Sequence, residues 1–138
     1  MIYVTRRERF SAAHFMYNKA LSREENMRLY GKCAGIHGHN YELFVTVSGE
    51  INPETGYLID LGILGHIIRE HVVDLLDHRN LNENVAFLEG LPTSTEVLAG
   101  EIFHQLEALV AAAGISLHKV KLVETKNNYT EYGGDTWQ

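Results

Sequence analysis

The sequence predicts an α+β domain in which an antiparallel four-stranded sheet carries two helices on one face. Three observations predict it. The N-terminal third holds two stretches of period-two alternation, the middle holds two capped amphipathic stretches, and the C-terminal part holds a second alternating pair split by a turn signal. The element order is therefore β, β, α, α, β, β.

The first stretch puts Ile2, Val4, Phe10, Ala12 and His14 on one parity, interrupted by Arg6 and Glu8. Ser22-Arg23-Glu24-Glu25 reads as a capping box, and Gly31 as the stop of the short helix behind it. From His37 to Gly49 the odd positions carry His37, His39, Tyr41, Leu43, Val45 and Val47, while Asn40, Glu42, Thr46 and Ser48 take the other face. Asn52-Pro53-Glu54-Thr55-Gly56 is a turn, and Tyr57-Leu58-Ile59 extends the sheet briefly. Asp60 caps a helix with Leu61, Leu64, Ile68, Val72 and Leu75 on one stripe. Thr93-Ser94-Thr95-Glu96 reads as a second capping box, opening a helix with Leu98, Ile102, Leu106 and Leu109 at core spacing and Gly114 as its stop. Val120, Leu122 and Glu124 then alternate with Lys119, Lys121, Val123 and Thr125, and Asn127-Asn128 turns the chain into residues 129–132.

With 138 residues and no linker, repeat or biased tract, one domain over residues 1–138 is expected. A composition 45% hydrophobic and 22% charged excludes the disordered and low-complexity classes. A net charge of −6 argues against nucleic acid as a partner. No apolar run approaches a membrane span, and the opening Met1-Ile2-Tyr3-Val4 before a charged stretch lacks the pattern of a signal peptide. The single cysteine, Cys33, allows no intrachain disulfide and fits a reducing compartment, so a cytoplasmic location is expected. An open four-stranded sheet leaves two edges, and closing them against other copies makes a homo-oligomer the expectation.

The chemistry is sought among the eight histidines. In Cys33-Ala34-Gly35-Ile36-His37-Gly38-His39, the two histidines lie two apart on a strand and project from one face. His14 ends the other N-terminal strand on its apolar parity and reaches the same point if the strands pair. Three neutral imidazoles with an open fourth position are the pattern of a catalytic zinc, and nitrogen ligands without a carboxylate suit zinc better than magnesium or calcium. His66, His71, His104 and His118 have no partner at ligand spacing.

Cys33 has three readings: a fourth ligand closing a structural site, a reactive thiol beside an open one, or a small buried residue. Asp77-His78 is either a helix terminus favoured by the dipole or an acid–imidazole pair. Glu124 shares the apolar parity of its strand, so its carboxylate needs an ion pair with a lysine or something else to bind.

Gly31, His37, His39, Glu42 and Gly49 approach the first motif of the metal-binding cupin barrels. One residue is missing between His39 and Glu42, which puts Glu42 on the face opposite the histidines, and no second motif follows. Amidohydrolase barrels also use His-x-His but need far more chain.

Taken in order, Phe10-Ser11-Ala12-Ala13-His14, Cys33-x-x-x-His37-Gly38-His39-Asn40-Tyr41, Thr55-Gly56-Tyr57-Leu58-Ile59-Asp60, Leu76-Asp77-His78-Arg79-Asn80-Leu81-Asn82, Pro92-Thr93-Ser94-Thr95-Glu96 and Val123-Glu124-Thr125 carry a resemblance. The chain resembles the 6-pyruvoyl tetrahydropterin synthase / 6-carboxytetrahydropterin synthase family over nearly its whole length. The resemblance implies the tunnelling fold, or T-fold, in which subunits join their sheets into a barrel and two trimers stack into a hexamer. It implies Zn2+ held by His14, His37 and His39, and 7,8-dihydroneopterin triphosphate as the substrate. Cys33 would be the general base, Asp77 with His78 the proton-transfer pair across a subunit boundary, and Glu124 the pterin anchor, with Thr95 and Glu96 nearby.

Two product branches are implied. The bacterial 6-carboxytetrahydropterin synthases, which feed queuosine and deazapurine synthesis, carry the Cys-x-x-x-His-Gly-His spacing found here. The 6-pyruvoyl enzymes of tetrahydrobiopterin synthesis typically have two more residues in that gap, yet residues 21–33 and 77–81 look like theirs. The spacing sets where the base sits, so the sequence reading favours the 6-carboxy product, with triphosphate and acetaldehyde released, and keeps 6-pyruvoyl tetrahydropterin as the alternative. More distant alternatives are a pterin or metal binder without catalysis and a small metallohydrolase using Asp77 as base. Arg6, Arg7, Arg9, Lys32, Arg79 and Lys126 are the candidates for the triphosphate.

Overall fold

Strands β1 (Ile2–His14) and β2 (His37–Gly49) pair antiparallel without a break, from Ile2 opposite Gly49 to His14 opposite His37. The even residues of β1 and the odd residues of β2 face the helices, so Phe10, Ala12, Tyr41, Leu43, Val45 and Val47 are buried there. The unbroken register also keeps Glu42 on the opposite face, beside Arg7 and Arg9 at 3.3 and 4.0 Å, as the argument against a cupin requires. The structure is a computed structural model and describes residues 1–135.

The remaining elements are α1 (Arg23–Tyr30), α2 (Leu61–Ile68), α3 (Asp74–Leu76), β3 (Arg79–Asn80), α4 (Thr95–Ala112), β4 (Ser116–Thr125) and β5 (Asn128–Tyr132). The sheet order is β3-β1-β2-β4-β5. The expected four antiparallel strands are therefore present but are joined by a fifth, since β3 lies parallel to β1 at Ala12 and Ala13. Its cause is local. The Asp77 Oδ1 accepts a bond from the Ser11 amide at 2.9 Å, and the His78 amide donates to the Ser11 carbonyl at 2.6 Å, pinning the chain to the edge of β1. Tyr57-Leu58-Ile59 forms bends, not strand, although Leu58 and Ile59 pack on the core. The last hairpin turns at Lys126 and Asn127, one residue earlier than expected, because Asn128 already pairs with Thr125. Among the described residues no helix is long and apolar enough to cross a membrane.

Three helix details differ from the sequence reading. Leu64, Ile68, Val72 and Leu76 are buried, while Leu61 and Leu75 are exposed. A repeat of four drifts by about 40° per step on a regular helix, and the π turn Arg69–Val73 between α2 and α3 takes up that drift, keeping Leu76 on the core. In α4, Val110 is fully buried where Leu109 was expected, so Leu109 sits at the margin. The capping box of α1 forms as read, with Ser22 and Glu25 bonded reciprocally. The one proposed for α4 does not: Ser94 is the cap, bonding the Val97 amide, and Thr93 is buried against Phe15 and Asn82.

The charges that interrupt β1 also find their reason. Glu8 accepts from Arg69 at 2.7 Å and lies 3.2 Å from Arg6, three ionic groups meeting above Gly65, where a Cβ would crowd both guanidinium tips. Removing Glu8 leaves two arginines facing each other. Glu8→Ala is expected to cost about 2 kcal/mol, a fall of about 6 °C in melting temperature by calorimetry.

Candidate metal centre and active site

β1 and β2 run to a common end, and their last inward residues are histidines. His14 stands directly opposite His37, and His39 lies across from Ala12 on the same face. The ring centroids are 4.6 Å apart for His14–His37 and 5.1 Å for both His14–His39 and His37–His39. One nitrogen from each ring lies within 4.8 Å of the others, so one ion could bind all three. Cys33 is outside this group; it is exposed, on the 3₁₀ turn Gly31–Ala34. The structure thus brings together the three predicted ligands and leaves a closed four-ligand site with Cys33 unsupported.

Two of the imidazoles are oriented by backbone carbonyls. His14 donates its Nδ1–H to the Thr93 carbonyl at 2.8 Å, and His37 donates its Nδ1–H to the Gly35 carbonyl at 2.7 Å. Both rings are thereby fixed in the tautomer that turns an Nε2 lone pair inward. The Nε2 atoms of His14 and His39 are buried and have no hydrogen-bond partner among the described residues. Buried polar atoms are rarely left unpaired, and a divalent ion is the partner that such lone pairs accept. The residues fit zinc.

Burial pushes His14 below its ordinary 6.5; the bond to Thr93 opposes this, and His37 and His39 lower it further. His14 is therefore neutral at neutral pH, as a ligand must be. A lowered folded value means that the unfolded chain binds this proton more readily. The stability it confers is complete above pH 6.5 and is lost as the pH falls below it. The metal-free chain is expected to lose more thermal stability between about pH 7 and about pH 5 than its His14→Gln variant does.

Glu124 reaches the same place from β4. Its Oε2 accepts from Thr95 Oγ1 at 2.5 Å and lies 3.8 Å from His39 Nε2. The inward carboxylate is thus paired with the first residue of α4 and borders the imidazoles, and among the described residues no lysine holds it. Glu96 is exposed and lines, with Thr95, Glu124, Asn128, Tyr129 and Thr130, a cleft of about 340 Å³.

Asp77 and His78 lie at the β1 edge. The His78 Nδ1 is 2.9 Å from Asp77 Oδ2, and the Ser11 amide occupies the other carboxylate oxygen. The Ser11 bond first, and His78 next, hold Asp77 below the ordinary carboxylate range. His78 adopts φ 60°, a left-handed conformation unusual for a residue with a Cβ, and its side chain projects into solvent. Asp77 and Glu124 both line a cleft of about 580 Å³ that also takes in Arg9 and Lys126. Of the predicted phosphate candidates these two come together, while Arg6 is tied to Glu8.

A model of the family described as 6-pyruvoyl tetrahydropterin synthase matches residues 3–135. The chain belongs to the 6-pyruvoyl tetrahydropterin synthase family. Among its relatives, the 6-pyruvoyl tetrahydrobiopterin synthase of Homo sapiens is 43% identical over 134 residues, covering 96% of this chain and 91% of that protein. The same-named protein of Dictyostelium discoideum is 41% identical over 134 residues and 97% of each chain. A 6-carboxy-5,6,7,8-tetrahydropterin synthase of Bacillus subtilis (strain 168) is 30% identical over 102 residues, covering 71% of this chain and 60% of that protein. The solved 6-pyruvoyl tetrahydropterin synthase of Caenorhabditis elegans has a TM-score of 0.89 at 34% identity, covering 97% of this chain and 96% of that one. Similarity thus lies more with the 6-pyruvoyl branch, against the preference drawn from the cysteine spacing. That spacing is one short loop length, and loops change length at little energetic cost.

Sequence reasoning missed Tyr41 as a member of this site. It lies on the histidine face of β2, stacks on Phe10 at 4.8 Å and presents its ring to His39 at 5.5 Å and His14 at 6.4 Å. Burial first, and then Glu124, raise its phenol well above the ordinary range, so it is a neutral O–H. Its parity with His37 and His39 was the available signal. The carbonyls of Thr93 and Gly35 left none, because backbone atoms carry no residue identity.

Proposed function

We propose that this member of the family is a zinc-dependent lyase converting 7,8-dihydroneopterin triphosphate to 6-pyruvoyl tetrahydropterin with release of triphosphate. The observation that carries the reading is the convergence of three imidazoles, two of them oriented by backbone carbonyls, beside an inward carboxylate, in a chain whose 6-pyruvoyl relatives match it at higher identity over more residues. His14, His37 and His39 would hold the zinc, and the bound ion supplies Lewis acidity that makes a neighbouring hydroxyl easier to deprotonate.

The residues of the chain divide the remaining work. Glu124, with one oxygen fixed by Thr95, accepts hydrogen bonds from the amino-pyrimidine edge of the pterin, and Glu96 flanks it. Cys33 removes a proton from the substrate side-chain carbon. The electron pair left behind moves into the ring imine, which takes up a proton. One carbon is oxidised and the ring is reduced, so no nicotinamide or flavin is consumed. A second proton leaves the carbon next to the one that carries triphosphate, its electron pair forms a carbon–carbon double bond as triphosphate departs with its bonding electrons, and the resulting enol takes up a proton at carbon to become the second carbonyl. Asp77 holds the Nδ1–H of His78, leaving Nε2 to exchange protons in the tautomerisations.

The reading extends to one domain over residues 1–138 and to a hexamer of two stacked trimers, with Asp77 and His78 serving a site across a subunit boundary. Two features support it: β5 is an outer strand, and β3 covers β1 only at Ala12 and Ala13. A monomeric mass by sedimentation at micromolar concentration would contradict it.

A second reading, 6-carboxytetrahydropterin with acetaldehyde released, is favoured by the spacing of Cys33 and His37. Mass spectrometry of the product from zinc-loaded protein decides: a 6-pyruvoyl compound supports the first reading, a 6-carboxy compound the second. Unchanged substrate would leave a binder without catalysis.

A further inference from the structure

Three buried side-chain atoms among the described residues lack a hydrogen-bond partner, and all lie on the helix-facing side of β1 and β2 near their common end: His14 Nε2, His39 Nε2 and Tyr41 OH. The two nitrogens are accounted for by the metal ion they fit. The phenol is not. Tyr41 is 1% exposed, so its hydroxyl is sequestered from bulk water, and the stacking on Phe10 fixes the ring plane. A phenylalanine would fill the same space without burying an unpaired hydroxyl.

We propose that Tyr41 is a positioning residue whose O–H is reserved for an oxygen of the ligand side chain brought to the histidine cluster. A neutral phenol donates one hydrogen bond, and its complement is an oxygen acceptor beside the ion in preference to the ion itself. The neighbours support this division. Glu42 pairs with Val123 across β2 and β4, which makes Tyr41 and Glu124 the next residues outward on the helix-facing side. Glu124, turned to Thr95 and His39, serves a donor-rich ring edge, whereas Tyr41 serves a hydroxylated or carbonyl-bearing chain. The ligand class is a pterin with an oxygenated side chain at the ring's six position. The inference rests on the proposed metal centre and adds to it a contact that distinguishes oxygenated from alkyl side chains.

The test compares the full-length wild type with Tyr41→Phe, both zinc-loaded. It measures zinc content, melting temperature, neopterin affinity by fluorescence, and steady-state kinetics on dihydroneopterin triphosphate. The expected result is unchanged zinc, an equal or higher melting temperature, and neopterin affinity weakened about tenfold. The value of kcat/KM should fall by a similar factor, most of it in KM. Unchanged affinity and kinetics with zinc retained would overturn the proposal and leave the metal centre standing. A melting temperature lowered by several degrees would also overturn it, because the hydroxyl would then be bonded within the fold. A wild type that takes up no zinc fails before the variant is compared, and sinks the metal centre and this contact together.

Discussion

Cys33→Ala is expected to keep its zinc and to lose about 10³-fold in kcat, the range for removing a positioned general base. The expectation follows from the separation of Cys33 from the ligand set. The thiol stands on an exposed 3₁₀ turn, whereas the three imidazoles are assembled by β1 and β2 alone. Elemental analysis and single-turnover kinetics check the two halves independently. Loss of zinc with the thiol would restore the closed structural site. Full activity without it would remove Cys33 from the chemistry.

The second large effect belongs to Glu124. Its carboxylate is held at 2.5 Å by Thr95 and faces the site from an apolar strand face, so removing it takes away both a charge and a pre-oriented acceptor pair. Two charge-assisted hydrogen bonds to a ring edge are together worth about 3 kcal/mol, or about 10² in KM. Glu124→Ala is therefore expected to raise KM about a hundredfold with zinc retained. Glu124→Gln should recover little, since an amide offers one acceptor and an unwanted donor. Activity and KM left intact by Glu124→Ala would refute the anchor.

Much of this was legible before any coordinates, for identifiable reasons. Strand parity is a strict code of two, so the inward faces of β1, β2 and β4 could be read directly, and with them the shared face of His37 and His39 and the inward turn of Glu124, whereas His14 meets them only through the pairing of β1 with β2. The interruption at Arg6 and Glu8 could not be explained, because its resolution is Arg69, on a helix far along the chain. The fifth strand was hidden because two residues pinned by the bonds between Asp77, His78 and Ser11 have no periodicity to show. The π turn was hidden because a repeat of four fits a regular helix nearly as well. Tyr41 shows in the sequence only as one of the alternating residues on the histidine face; its burial and unpaired hydroxyl are visible only in three dimensions. The product branch was weighted on one loop length, whereas resemblance over the full chain points the other way.

The proposed chemistry depends most on the ion. Dialysis of the purified chain against excess zinc, followed by elemental analysis after removal of free metal, measures it directly. One zinc per chain in the wild type, and its loss in His14→Ala, is the result expected. A wild-type chain that emerges metal-free, or a His14→Ala chain that retains a full complement of zinc, would contradict it.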